Sequence, residues 1–237
     1  QSFALKLEKG RHDFELVYYK KASWFPTRLA WYNLTSHPQP MHALNSFPTP
    51  SGGGPILERV EQRPRLLRAF FDYKGKREDR LTHTIGVGDP SGLHYVYDLK
   101  SGTPVCVWRG DFVDATPMWK GRGDGSFLPL GSPVYLPKGH ALKPLSDSTS
   151  AFPDGLSEEE GFYNIGYELA PETGYPTFLY EWAGTSIRDG IRPDEAGNGL
   201  KRTIQLAGKT TGPFLVRLAA GEGIRPWPGG LYRVAHQ

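Results

Sequence analysis

Cysteine is almost missing from this chain. Cys106 is the only one in 237 residues, which excludes an internal disulfide and any metal site built from several thiolates. Its setting, Val105-Cys106-Val107-Trp108, is that of a buried strand residue rather than a reactive thiol. The haem-attachment pattern Cys-x-x-Cys-His is absent too, so the chain attaches no haem covalently. No apolar run approaches the ~20 residues needed to cross a bilayer as a helix, and nowhere do apolar residues recur at helical spacing over a useful length. There is no excess of one charge. The 28 basic residues are interleaved with 25 acidic ones for a net charge of +3, which leaves no basic face for nucleic acid. No Gly-x-Ser-x-Gly elbow occurs and no serine or cysteine is set beside a plausible base, so the chain reads as non-enzymatic, with no cofactor of its own. It opens on strand-like alternation without a signal peptide, as a processed or trimmed product would.

What is abundant is punctuation and aromatic bulk: 29 Gly and 21 Pro beside 12 Tyr, 12 Phe and 6 Trp. Many turns and many strand-forming aromatics predict an all-β fold, an antiparallel β-sandwich of many short strands with a small N-terminal β element. Residues 1–34 alternate through Phe3, Leu5 and Leu7, then Phe14, Leu16 and Tyr18, then Leu29 and Trp31. Residues 35–65 are a Pro/Gly-rich connector, in which proline removes ladder donors. Residues 66–237 form the main domain. There the pattern predicts strands at 66–73, 80–87, 93–99, 104–109 and 132–136, an irregular segment at 111–130 and a polar loop at 143–160. A clear meander follows from 161 to 206, then short strands at 214–218 and 231–234. Phe178, Tyr180 and Trp182 mark its best single strand.

The stretch Gly86-Val87-Gly88-Asp89-Pro90-Ser91-Gly92 admits two readings. Glycines at this spacing cradle phosphate when a helix follows. Here β-branched and aromatic residues lie on both sides, Pro90 presets φ and Gly92 accepts a positive one, which predicts a hairpin.

At the N-terminus, "FALKLEKGRHDFELVYY" followed by "TRLAWYN" resembles the closing strands of PA14-type β-sandwich modules over about 34 residues. The earlier strands of such a module are absent from the match. Much of residues 66–234, from "RAFFDYKGKREDRLTHTIGVGDPSG" through "VCVWRGDFVDATPMWKGRGDG", is similar to β-rich segments of bacterial extracytoplasmic multidomain proteins that often adjoin c-type haem domains. This resemblance implies a periplasmic or secreted setting and a redox neighbourhood. It transfers no catalytic residue.

Several residues are candidates for chemistry. A hairpin centred between Gly88 and Asp89 would set His83 directly opposite His94, where they could share a metal with Asp72 or Asp98; hydrogen bonds to neighbours are the competing role. Asp111 and Asp114, with Asp124 nearby and Trp108 and Trp119 flanking, have the residue types of a sugar site, while aspartates in a turn-rich segment also cap their own turns. Arg122-Gly123-Asp124 is better explained by turn preferences than by adhesion, and Asn33-Leu34-Thr35 fits a glycosylation acceptor. The aromatic, proline-flanked loops supply Trp24, Phe25, Trp119, Arg225 and Trp227 as partner-contact candidates. Alternatively, each tryptophan folds back over its own sandwich end. The expectation is a structural accessory protein that binds other subunits, a c-type cytochrome or membrane redox complex among them. The alternative is a carbohydrate-binding or carbohydrate-active module.

Overall fold

The computed structural model describes residues 54–144, 149, 151–153, 155–156, 158–208, 213–220 and 223–234, together with strand residues 30–31 and 39–40. The chain divides into two units, Gln1–Phe47 and Pro48–Gln237. In the first, β1 (Ala30–Trp31) pairs antiparallel with β2 (Gln39–Pro40), with Trp31 opposite Gln39. The other N-terminal strands expected from the sequence, and with them Trp24, Phe25 and Asn33, lie outside the described residues.

The second unit is all-β and built from antiparallel sheets. It begins with β3 (Leu57–Glu58), at the end of the Pro/Gly-rich segment, and continues through β4 (Arg65–Asp72), β5 (Arg80–Gly88), β6 (Leu93–Asp98) and β7 (Thr103–Asp114). A short helix α1 (Thr116–Trp119), β8 (Leu128–Gly131) and β9 (Val134–Tyr135) follow. Strands β4 to β7 form an up-and-down meander in chain order. Strand β7 is long enough to serve two sets of neighbours. Its first half pairs with β6 and β9, and its second half with β8 and β3.

The change of neighbours falls at Gly110, whose φ is 143° and where a Cβ would come within 2.5 Å of the Leu130 carbonyl oxygen. On the far side, the Phe70 N–H donates to the Gly125 carbonyl at 2.8 Å, and Phe70 bridges to Ser126. The sheet therefore curls over a core that includes Phe71, Val96, Cys106, Trp108, Phe112 and Phe127.

The second sheet comes from β11 (Phe162–Leu169), β12 (Pro176–Trp182), β13 (Thr185–Pro193) and β14 (Leu200–Gly208), again a meander in chain order. Strand β10 (Leu142–Pro144) pairs with β15 (Phe214–Val216), and β16 (Arg225–Trp227) with β17 (Leu231–Arg233). The two large sheets pack face to face. Ile85, Val87, Tyr95, Tyr97 and Leu99 from the first meet Phe178 and Ile191 from the second. Tyr97 and Phe178 stack with ring centroids 3.7 Å apart, 3° from parallel. Leu142, Phe162, Tyr180, Trp182 and Ile187 form a third buried cluster.

Every residue of β6 is buried because both faces of that strand are covered. Val96 enters the curled core while Tyr95 and Tyr97 face the second sheet. Strand β12 buries Phe178, Tyr180 and Trp182 and turns the residues between them outward, as its alternation predicts. The expected irregular segment at 111–130 is partly regular: it holds the end of β7, helix α1 and the start of β8. A shift of register between Asp111 and Val113 is the reason, because it buries Phe112 and Val113 in succession and breaks the alternation. The polar loop expected at 143–160 likewise starts inside β10.

Candidate functional site

The glycine-rich stretch is a hairpin turn. The Gly92 N–H donates to the Asp89 carbonyl at 3.0 Å, the Ser91 N–H to Asp89 Oδ1 at 2.8 Å, and Gly92 has φ 78°. No helix follows it; β6 does. Val87 pairs with Tyr95, so the turn centres on Ser91 rather than between Gly88 and Asp89. That displacement separates the two histidines. His83 is exposed at the level of Leu99, whose N–H donates to its carbonyl, whereas His94 is buried beside the turn.

Both His94 ring nitrogens are engaged. Nδ1 accepts the Asp89 N–H at 3.0 Å, so Nε2 carries the proton, which it donates to the Gly110 carbonyl at 2.9 Å. Burial pushes the His94 pKa down, which suits a neutral ring that braces a turn. The proposed co-ligands are committed elsewhere. Asp72 pairs with Arg80 at 2.6 Å, and Asp98 accepts from Ser101 and from the Lys100 N–H. The expected convergence of His83 and His94 with Asp72 or Asp98 does not occur.

The Trp/Asp segment does not assemble a sugar site either. Trp108 is buried, and its Nε1–H is shared between the Asp111 and Phe112 carbonyls at 3.0 Å each. Asp111 is exposed, and Asp114 accepts the Thr116 N–H at 2.8 Å where α1 begins. Asp124 takes the Ser126 N–H and hydroxyl on one oxygen and Arg80 on the other. Those bonds hold its pKa down at about 2. Asp124 of the Arg122-Gly123-Asp124 triplet is thus tied to its own turn and to Arg80. Cys106 is fully buried, and burial pushes its thiol up to about 12.

Two other surfaces carry the features a site requires. The first is the β16–β17 hairpin, where every residue from 224 to 234 is exposed. Trp227 lies opposite Leu231 and Arg225 opposite Arg233, which puts two apolar and two cationic side chains on one face. Trp227 is 54% exposed and Tyr232 66%. Trp119, at the end of α1, is exposed as well. Of the partner-contact candidates, Trp119, Arg225 and Trp227 therefore stand at the surface.

The second is a groove on the outer face of the second sheet, in two adjoining lobes of about 240 and 660 Å³ that share Tyr175 and Arg192. Its floor is a row across three strands, Thr177, Gly190 and Thr203. Tyr175 forms part of the wall and is fixed there by its hydroxyl, which donates to the buried Asp89 carboxylate at 2.6 Å. Burial and that bond push Tyr175 up to about 12, against the pull of nearby Arg192.

No family model, curated protein or solved structure matches this chain. Its function must be read from these two surfaces. Sequence reasoning placed Arg225 and Trp227 among its candidates but missed the groove. Only the strand register, which sets Arg192 beside Lys201, could have pointed to it.

Proposed function

We propose that this chain is a non-enzymatic, extracytoplasmic structural protein that docks on a larger assembly as an accessory subunit. The hairpin carrying Trp227 and Arg225 is the observation behind this reading. A two-stranded hairpin is marginal by itself in water, and this one exposes Trp227, Leu231 and Tyr232 to solvent. Tryptophan and arginine are the residue types that dominate binding energy at protein interfaces. Among the described residues Arg225 and Arg233 have no acidic partner, yet they lie directly opposite one another, an arrangement that costs stability until a negative charge approaches. An acidic surface with an apolar notch fits that face.

The host we propose is a membrane-bound electron-transfer complex of the periplasm containing a c-type cytochrome. Its support is the similarity of residues 66–234 to segments that adjoin c-type haem domains. The resemblance of the sequence of residues 1–34 to the closing strands of PA14-type modules fits the same multidomain, extracytoplasmic context. A carbohydrate-binding role keeps one observation in its favour, the polar groove of the second sheet, and takes no residue from the Trp108–Asp124 segment.

The test replaces Trp227 with a photo-crosslinking aromatic in the native host and separates gently solubilised membranes under non-denaturing conditions. Crosslinks from position 227 into a haem-staining complex are expected. Recovery of the native protein as a free monomer, without crosslinked subunits, would overturn the proposal.

A further inference from the structure

The groove on the second sheet has the chemistry of a ligand site. Outward-facing residues of β12, β13 and β14 form three successive rows. The middle row is Thr177, Gly190 and Thr203, two hydroxyls either side of a residue with no side chain. A Cβ on Gly190 would come no nearer than 3.8 Å to Thr177 Oγ1 and 4.0 Å to the Thr203 carbonyl, so the space above the floor is open. One flanking row holds Arg188 and Gln205, with Arg188 bound to Glu168. The other holds Arg192 directly opposite Lys201.

Two cations facing each other across adjacent strands repel, and among the described residues neither has an ion-pair partner. An anion bound between them would turn that repulsion into attraction. Rows of this kind lie about 6.8 Å apart along a strand. A group held by Arg192 and Lys201 would therefore place its next few atoms over the threonine hydroxyls, with the Gln205 amide beyond. A carboxylate attached to a hydroxylated ring satisfies both ends at once. The lobe that holds Arg192 and Lys201 is also lined by Asp194 and Glu195, which disfavours compact, multiply charged anions such as phosphate relative to carboxylates spaced one to a sugar ring.

We infer that this groove binds an anionic saccharide of the hexuronic acid type, with the carboxylate between Arg192 and Lys201 and the ring over Thr177, Gly190 and Thr203. The inference is independent of the docking hairpin and uses none of its residues.

Titration calorimetry on the full chain tests it, with trigalacturonate as probe and maltotriose and inorganic phosphate as comparisons. Trigalacturonate should bind and maltotriose should not. Two variants remove the site in different ways. Arg192→Ala with Lys201→Ala removes the charge and should weaken binding at least about tenfold, with thermal stability unchanged or raised. Gly190→Leu fills the floor, keeps the charge, and should weaken binding to the same degree. Arg225→Ala with Arg233→Ala removes two positive charges elsewhere and should leave binding intact. The inference is overturned by equal responses to trigalacturonate and maltotriose, by binding that survives Gly190→Leu, or by phosphate competing as well as the sugar acid.

Discussion

Asp189 and Arg202 meet between the sheets in a two-pronged ion pair, with Nη2 2.6 Å from Oδ2 and Nε 2.9 Å from Oδ1. Asp189 is wholly buried, Tyr97 donates its hydroxyl to the same carboxylate at 2.7 Å, and Arg202 also reaches the Gly102 carbonyl at 3.2 Å. Asp189→Ala strands a guanidinium and a phenol without their acceptor. The expected loss is about 3–5 kcal/mol, and a combined Asp189→Leu, Arg202→Met, Tyr97→Phe replacement, which leaves none of the three groups unpaired, should recover most of it. Urea denaturation of the three proteins measures both numbers.

His140 is a source of acid sensitivity. Its ring is buried against Phe162 and Trp182, its Nε2 has no hydrogen-bond partner among the described residues, and burial lowers its pKa to about 4. Glu160 pulls the other way and Arg217 reinforces the shift. The unfolded chain takes up the proton near pH 6.5 and the folded one near 4. This contribution is therefore complete above pH 6.5 and is lost as the pH falls through that window, by up to about 3 kcal/mol. His140→Phe should flatten the acid limb of a stability-against-pH curve from denaturant midpoints.

Gly110→Ala should be severe. The position combines φ 143° with a Cβ 2.5 Å from the Leu130 carbonyl, so β7 can no longer pass from one set of neighbours to the other. A loss of more than about 3 kcal/mol is expected, visible as a large drop in Tm or as failure to fold.

Cys106 should be silent to thiol reagents. With no surface exposed and its pKa near 12, the folded protein should not react with a chromogenic disulfide at pH 8, and one equivalent should react in denaturant.

Trp227→Ala and Leu231→Ala should each leave the free energy of unfolding unchanged within about 0.5 kcal/mol, because both side chains are exposed in the isolated chain. For Trp227→Ala, the accompanying fall in acrylamide quenching of tryptophan fluorescence would show that an exposed indole had been removed.

The fold was legible wherever one face of a strand is wet. Strand β12 alternates in composition and in burial alike. Strand β6 was found through its aromatic and β-branched content alone, since a strand covered on both faces shows no alternation. The end of β7 was hidden by a shift of register that buries two neighbours in a row. The histidine pair failed through the position of the turn, which places His83 beside Leu99 instead of His94. Arg192, Lys201, Thr177 and Thr203 were invisible as a group because outward polar residues look like any solvated face. They become a set only when three strands are aligned.

The double membership of β7 has a consequence for how the molecule comes apart. Because one continuous strand is hydrogen-bonded to β6 at one end and to β8 at the other, neither part of the curled sheet can melt while the other stays native. Backbone amides of β6 and β7 will then exchange with solvent only through complete unfolding, and their slow deuterium uptake will report the global stability of this unit directly.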